Sequence, residues 1–216
     1  MELDHIFICV SKGAHEAREL INFGLTEGSS NVHPGQGTAN RRFFFHNVFL
    51  ELLYLEDAAQ AKSDVTTNTG LYERCSFLND ASSFGFCFKP GSSAQQKPDF
   101  ESWQYKPEFF PVPNCVEVAI APYYEPMWFF ISFLGPANPA KQKEPIHHDA
   151  PLQYLTHTRV FQPLSGPPSD AWQKADQLAN FSVFNYPESL LELEFDHHRA
   201  AKTHDFRPAL PLLIKW

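Results

Sequence analysis

The chain opens on an alternation. In Leu3–Val10 an extended strand puts Leu3, His5, Phe7 and Cys9 on one face and Asp4, Ile6, Ile8 and Val10 on the other. The spacing then becomes helical. Ala14, Ala17, Leu20 and Ile21 follow Ser11, a residue able to cap, and Gly24 stands where a helix would stop. The polar, glycine-rich LTEGSSNVHPGQGTANR (25–41) predicts a short strand and a loop. Two apolar runs, RFFFHN (42–47) and FLELLYLE (49–56), return to strand. The predicted order is strand, helix, then three strands.

That order recurs loosely. A polar connection over 57–81, with a short helix near Leu71–Cys75, leads to strands at 83–89, 102–107, 114–122 and 125–135. The segment PGSSAQQKPDF (90–100) occupies the helix position but has no helical pattern. PANPAKQKEP (136–145) reads as a linker. Beyond it the pattern predicts a strand at 152–162 and a helix at 169–180. Ser169 or Asp170 starts that helix, and Ala171, Trp172, Ala175 and Leu178 lie on one side of it. Strands follow near 181–185, 188–195 and 210–215. The expectation is an α+β protein of βαβββ-like units. Module one spans 1–56 and module two 82–135, within a domain over 1–135. Residues 146–216 form a C-terminal βαββ-type extension packed on the same fold.

Composition narrows the class. The 216 residues suffice for one substantial core or two small fused ones. The 21 Phe, 7 Tyr and 4 Trp suit pleated, half-buried surfaces, and 18 Pro argue against long helices. A net charge of -8 with no basic stripe argues against nucleic acid and gives little attraction to anionic membranes. No apolar run approaches the ~20 residues needed to span a bilayer. The four cysteines have no C-x-x-C spacing and read as free thiols in a reducing compartment. The acidic start MELDHIF has no secretory character, so a cytoplasmic protein is expected.

Two polar residues interrupt apolar strands: His5 in LDHIFICV and Glu51 in FLELLYLE. Glu51 shares a face with Phe49 and Leu53. If the first helix covers one face of the sheet, His5 and Glu51 can stand together on the opposite, concave one. A buried carboxylate without a partner costs several kcal/mol, so a cation, metal or donor is expected nearby. Imidazole and carboxylate are also first-row metal ligands. The plain alternative is that the two bond each other or the backbone.

ELDHIFICV, the helix ending INFGL and HPGQGTANRRFFFHNVFLELLYLED together resemble the first module of the glyoxalase-like group of the vicinal oxygen chelate superfamily. SFGFCFKPG and PMWFFISFLG resemble the first and last strands of a second module. The resemblance implies paired βαβββ modules forming a U-shaped mixed sheet around a cavity, here with a further βαβββ-like C-terminal extension. It implies a divalent metal (Zn, Fe, Mn or Ni) chelating adjacent oxygens of a substrate, with His5 and Glu51 as ligands and as the catalytic pair. The second module offers no further His or carboxylate in strand 83–89 and only Glu125 at the edge of strand 125–135. His147 or His148 of EPIHHDA is the candidate third ligand, against a reading as exposed linker.

The candidate ligand-binding residues are Asn40, in the loop over the cavity mouth, with Phe43, Phe45, Phe86, Trp103, Trp128 and Phe130 as aromatic lining. Ordinary core is the alternative for each aromatic. Arg41, Arg42 and Arg207 are candidates to pair with Glu51 or an anionic ligand. His197, His198 and His204 read as part of a polar hairpin loop. No G-x-S-x-G, H-E-x-x-H or Cys–His nucleophile pair occurs. The functional expectation is a glyoxalase-like small-molecule-binding protein, monomer or homodimer, acting as a metal-dependent lyase, isomerase or dioxygenase. The rival is a binding protein that sequesters a small aromatic or drug-like ligand without metal. A third reading is a structural module with its cavity filled by side chains.

Overall fold

The computed structural model describes residues 1–92, 94–135 and 143–216. The first unit is β1 (Glu2–Cys9), α1 (Ala17–Phe23), β2 (Asn31–His33), β3 (Thr38–Phe44) and β4 (Phe49–Leu55). After α2 (Ala58–Ala61) and α3 (Leu71–Cys75) comes a second set: β5 (Phe84–Lys89), β6 (Ser102–Tyr105), β7 (Val116–Ala119) and β8 (Met127–Phe130). The two sets form one mixed eight-stranded sheet in the order β2-β3-β4-β1-β5-β8-β7-β6. β1 runs parallel to β4 and β5 parallel to β8, while β1 and β5 meet antiparallel at the centre. Most of the expected linker, residues 136–142, lies outside the described residues.

The third unit is β9 (Leu155–Gln162), α4 (Asp170–Asp176), β10 (Phe181–Asn185), β11 (Leu190–Phe195), β12 (Thr203–Asp205) and β13 (Leu212–Lys215). It makes its own five-stranded sheet in the order β10-β9-β11-β13-β12. It keeps the strand–helix–strand opening, but its first strand pairs parallel with the strand after the helix, whereas in the first two sets it pairs with the last strand. Residues 203–205, within the segment read as a polar loop, form the edge strand β12.

The period of two sorts the large sheet into two apolar faces. Ile6, Ile8, Leu50, Leu52, Phe43, Phe86, Phe88, Trp128 and Phe130 share one core with Ala17 and Leu20 of α1 and with the third unit. Phe181 stands edge-on to Phe86 at 5.1 Å, Phe195 packs on Phe45 at 4.6 Å, and Trp172 meets Trp128 at 6.4 Å. The second set has no helix between β5 and β6 among the described residues, and β10 and α4 cover the face a helix would otherwise occupy. Burying one such aromatic contributes about 1.5–3 kcal/mol, so leaving this face bare would be costly. Phe7, Cys9, Leu53, Cys87, Tyr105, Val118, Phe129 and Ile131 form a second, smaller core on the other face.

Candidate functional site

That second face is concave, and it encloses a cavity of about 560 Å³. Successive strands contribute alternate residues to it: His5 and Phe7 from β1, Asn40 and Arg42 from β3, Phe49, Glu51 and Leu53 from β4, Met127 and Phe129 from β8. Phe109 and Phe110, from the segment between β6 and β7, close one side. The ring of Phe7 lies flat across the floor because β5 has Gly85 opposite it. A Cβ at Gly85 would come within 2.1 Å of the Phe7 ring.

His5 and Glu51 stand together at the deep end. Nδ1 of His5 is 2.9 Å from Asp4 Oδ2, and Lys89 Nζ donates to Asp4 Oδ1 at 3.1 Å. Burial pushes the Asp4 carboxyl upward, but the hydrogen bond and charge of His5 and the charge of Lys89 outweigh it and hold Asp4 below its usual value. Ionised Asp4 only accepts, so Nδ1 carries the proton, and in the neutral ring Nε2 presents a lone pair to the cavity. Glu51 Oε1 accepts from Asn40 Nδ2 at 2.6 Å, and Asn40 Oδ1 accepts from the Asn31 N–H at 2.7 Å. Glu51 Oε2 lies 3.9 Å from His5 Nε2, beyond hydrogen-bond length. Phe49 stacks on the His5 ring at 4.4 Å and Phe129 stands edge-on at 5.5 Å.

A second polar wall faces this pair. Tyr105 donates to Gln36 Oε1 at 3.3 Å, Gln36 Nε2 donates to Thr38 Oγ1 at 2.7 Å, and Thr38 Oγ1 lies 3.0 Å from His33 Nδ1. Burial lowers the pKa of His33 despite the opposing charge of Glu51. Burial likewise raises the Tyr105 hydroxyl. This wall depends on the turn between β2 and β3. Gly37 sits there at φ +76, and a Cβ would fall 2.2 Å from the Asp57 carbonyl oxygen.

His5, Glu51 and Asn40 are thus brought together, with Asn40 spent on orienting Glu51. None of the six expected aromatics lines the cavity. Phe43, Phe45, Phe86, Trp128 and Phe130 belong to the opposite core. The reason is register: Arg42 lies beside Glu51, which places Phe43 beside Leu50, and Phe86 pairs with Ile6 and Trp128. Trp103 is on the cavity side, 6.1 Å from Tyr105, but outside the lining. His147 is exposed, with its carbonyl accepting from Thr26 Oγ1; His148 bridges the Thr26 N–H and the Phe44 carbonyl. Neither lines the cavity. None of the three arginines pairs with Glu51. Arg41 binds Glu27, Arg42 donates to Ser29 and lies over Phe44 and Phe49, and Arg207 binds Asp205. Glu125 faces away from the cavity side, accepting from Trp128 Nε1 and from the Ser169 N–H and hydroxyl.

The residues missed from sequence are Asp4, His33, Gln36, Tyr105, Phe109, Phe110, Met127 and Phe129. Alternation across paired strands would have found Met127 and Phe129 once Glu51 was taken as inward. The others depend on a bulge between Leu3 and His5, on the short strands β2 and β6, and on loop geometry.

A protein-held divalent metal does not fit these residues. Two donors converge where three or four are needed. The second module presents Gly85, Cys87, Met127 and Phe129 to the same space. One group of three donor atoms exists among the described residues: Asp4, His5 and Cys87. Its carboxylate is already bound to Lys89 and His5, and burial pushes the Cys87 thiol up.

The family model described as glyoxalase-like domain matches residues 3–110, half of the chain. The chain belongs to the glyoxalase-like domain family, as its first module suggested. A hypothetical protein from Staphylococcus aureus shares the fold, with a TM-score of 0.59 and 12% identity over 99% of this chain and 98% of that one. A mutant of 4-hydroxymandelate synthase from Streptomyces coelicolor aligns with a TM-score of 0.46 and 10% identity, over 99% of this chain and 61% of that one. No curated protein matches the chain. No helix among the described residues is long and apolar enough to cross a membrane.

Proposed function

We propose that the chain binds a small, largely apolar molecule in the 560 Å³ cavity, anchored by His5 and Glu51, without a resident metal. The observation that carries this reading is the pairing of a wide aromatic floor with two polar side chains that face open space. A volume of this size suits a drug-sized or smaller ligand. Phe7, Phe49, Phe109, Phe110 and Phe129 supply flat apolar contact, while His5, Glu51 and the His33–Tyr105 wall fix orientation. The remaining polar capacity of His5 Nε2 and Glu51 Oε2 is met by the ligand.

A neutral fluorophore such as Nile red tests the reading. Wild type should bind it with a fluorescence rise, and Met127→Trp, which fills the cavity from its floor, should abolish that rise with circular dichroism unchanged. Absence of uptake, or uptake untouched by Met127→Trp, would count against cavity binding. Elemental analysis of protein purified without chelator addresses the metal. A stoichiometric divalent ion that disappears in His5→Ala would replace the metal-free reading with the lyase, isomerase or dioxygenase one.

A further inference from the structure

Two polar atoms face each other at the deep end. Asp4 engages Nδ1 of His5, which leaves Nε2 turned to the cavity. Glu51 offers Oε2, because Oε1 is taken by Asn40. The two atoms are 3.9 Å apart, beyond hydrogen-bond length, so neither is spent on the other. A nitrogen about 2.9 Å from each acceptor fits that gap.

Charge points the same way. Glu51 is buried, and among the described residues no lysine or arginine lies within ion-pair distance of it. Lys89 is committed to Asp4, and the guanidinium of Arg42, though it borders the cavity, is turned to Ser29 and Glu144. The faces and edges of Phe49 and Phe129 flank the His5 ring, and Phe7 lies 6.1 Å from Phe129. A cation seated there would meet a carboxylate and aromatic rings together.

We infer that the cavity is selective for a flat, apolar molecule bearing a cationic nitrogen with at least two N–H donors, an ammonium or amidinium, held between His5 Nε2 and Glu51 Oε2. This rests on the cavity being a ligand site, as proposed above.

Benzamidine, benzyl alcohol and benzoate are the probes: one ring carrying a cationic, a neutral and an anionic head. Their binding is measured by saturation-transfer NMR and by displacement of Nile red. Benzamidine should bind about tenfold or more tightly than benzyl alcohol, as expected for a charge-assisted hydrogen bond, and benzoate should be the weakest. Glu51→Gln, which keeps shape and removes charge, should erase the advantage of benzamidine over benzyl alcohol. An unchanged circular dichroism spectrum in that variant shows that it folds. If benzoate equals or exceeds benzamidine, or if Glu51→Gln leaves benzamidine unchanged, the cationic selectivity is overturned while the cavity reading survives. If Nile red itself is not taken up by wild type, the cavity reading fails and takes this inference with it.

Discussion

At Gly85 the absence of a side chain shapes the floor of the cavity. The Phe7 ring occupies the space a Cβ would need, and its nearest atom is 2.1 Å from that position. Gly85→Ala must therefore displace Phe7 into the cavity or strain β1 against β5. Overpacking of this kind costs about 1–3 kcal/mol. Urea unfolding should show that loss in Gly85→Ala, and Phe7→Leu added to it should recover part, since the two positions share one space. Equal and additive losses would mean that the ring does not sit there. At this scale the sequence was informative where a residue contradicted its own strand. His5 and Glu51 stood out because a charge or imidazole in an apolar run demands an explanation. Phe43, Phe86 and Trp128 carried no such contradiction, and which face they take is set by pairing with strands far away in the chain. Asp4, on the far face by simple alternation, reaches the site only through the bulge beside His5.

Among the elements, β8 and α4 are joined through one carboxylate. Glu125, at the head of β8 and fully buried, accepts from the Ser169 N–H at 2.7 Å, from the Ser169 hydroxyl at 2.6 Å and from Trp128 Nε1 at 3.1 Å. The same Ser169 oxygen caps α4 by accepting the Trp172 N–H at 3.2 Å. The third unit is thus fastened to the large sheet by a polar clamp inside an apolar interface. Ser169→Ala should cost about 1–2 kcal/mol from the lost cap. Glu125→Ala should cost more, because it leaves the Trp128 and Ser169 donors buried and unpaired. The double variant, measured by chemical denaturation, should lose less than the sum of the two; simple additivity would deny the shared bond. The helix, with Ser169 or Asp170 at its start, was legible from spacing alone. The acceptor, 44 residues earlier in sequence, was not, and Glu125 was weighed instead as a stray candidate at a strand edge. The first two modules were legible for a related reason: their order of strand and helix is local. How the third unit pairs its strands, and that it covers the back of the second module, are long-range facts.

Among the described residues burial lowers the pKa of three histidines, His33, His148 and His157 on β9, and the first two join parts of the molecule. His33 stands in the second polar wall of the cavity, and His148 ties the chain entering the third unit to the first: Nδ1 accepts the Thr26 N–H at 3.0 Å and Nε2 donates to the Phe44 carbonyl at 2.9 Å. Burial is the main cause that lowers the pKa of each; the Phe44 carbonyl pulls His148 the other way but does not prevail. A base whose folded pKa lies below its unfolded value binds fewer protons when folded. Stability from these rings is therefore complete above the ordinary histidine value of about 6.5, and it is lost as pH falls from there toward the folded values. Protonating His148 also turns Nδ1 from acceptor to donor and breaks its bond to Thr26. Asp4 behaves differently: its folded pKa is depressed for an acid, so its contribution is lost only below the ordinary carboxylate range. The window between pH 7.5 and 5.5 thus isolates the histidines. The urea midpoint should drop across that window in wild type, and the drop should shrink in the double variant His33→Gln, His148→Gln, whose amides retain hydrogen-bonding capacity but do not titrate; His157 accounts for the remainder. An undiminished drop in the double variant would place the acid sensitivity elsewhere in the chain.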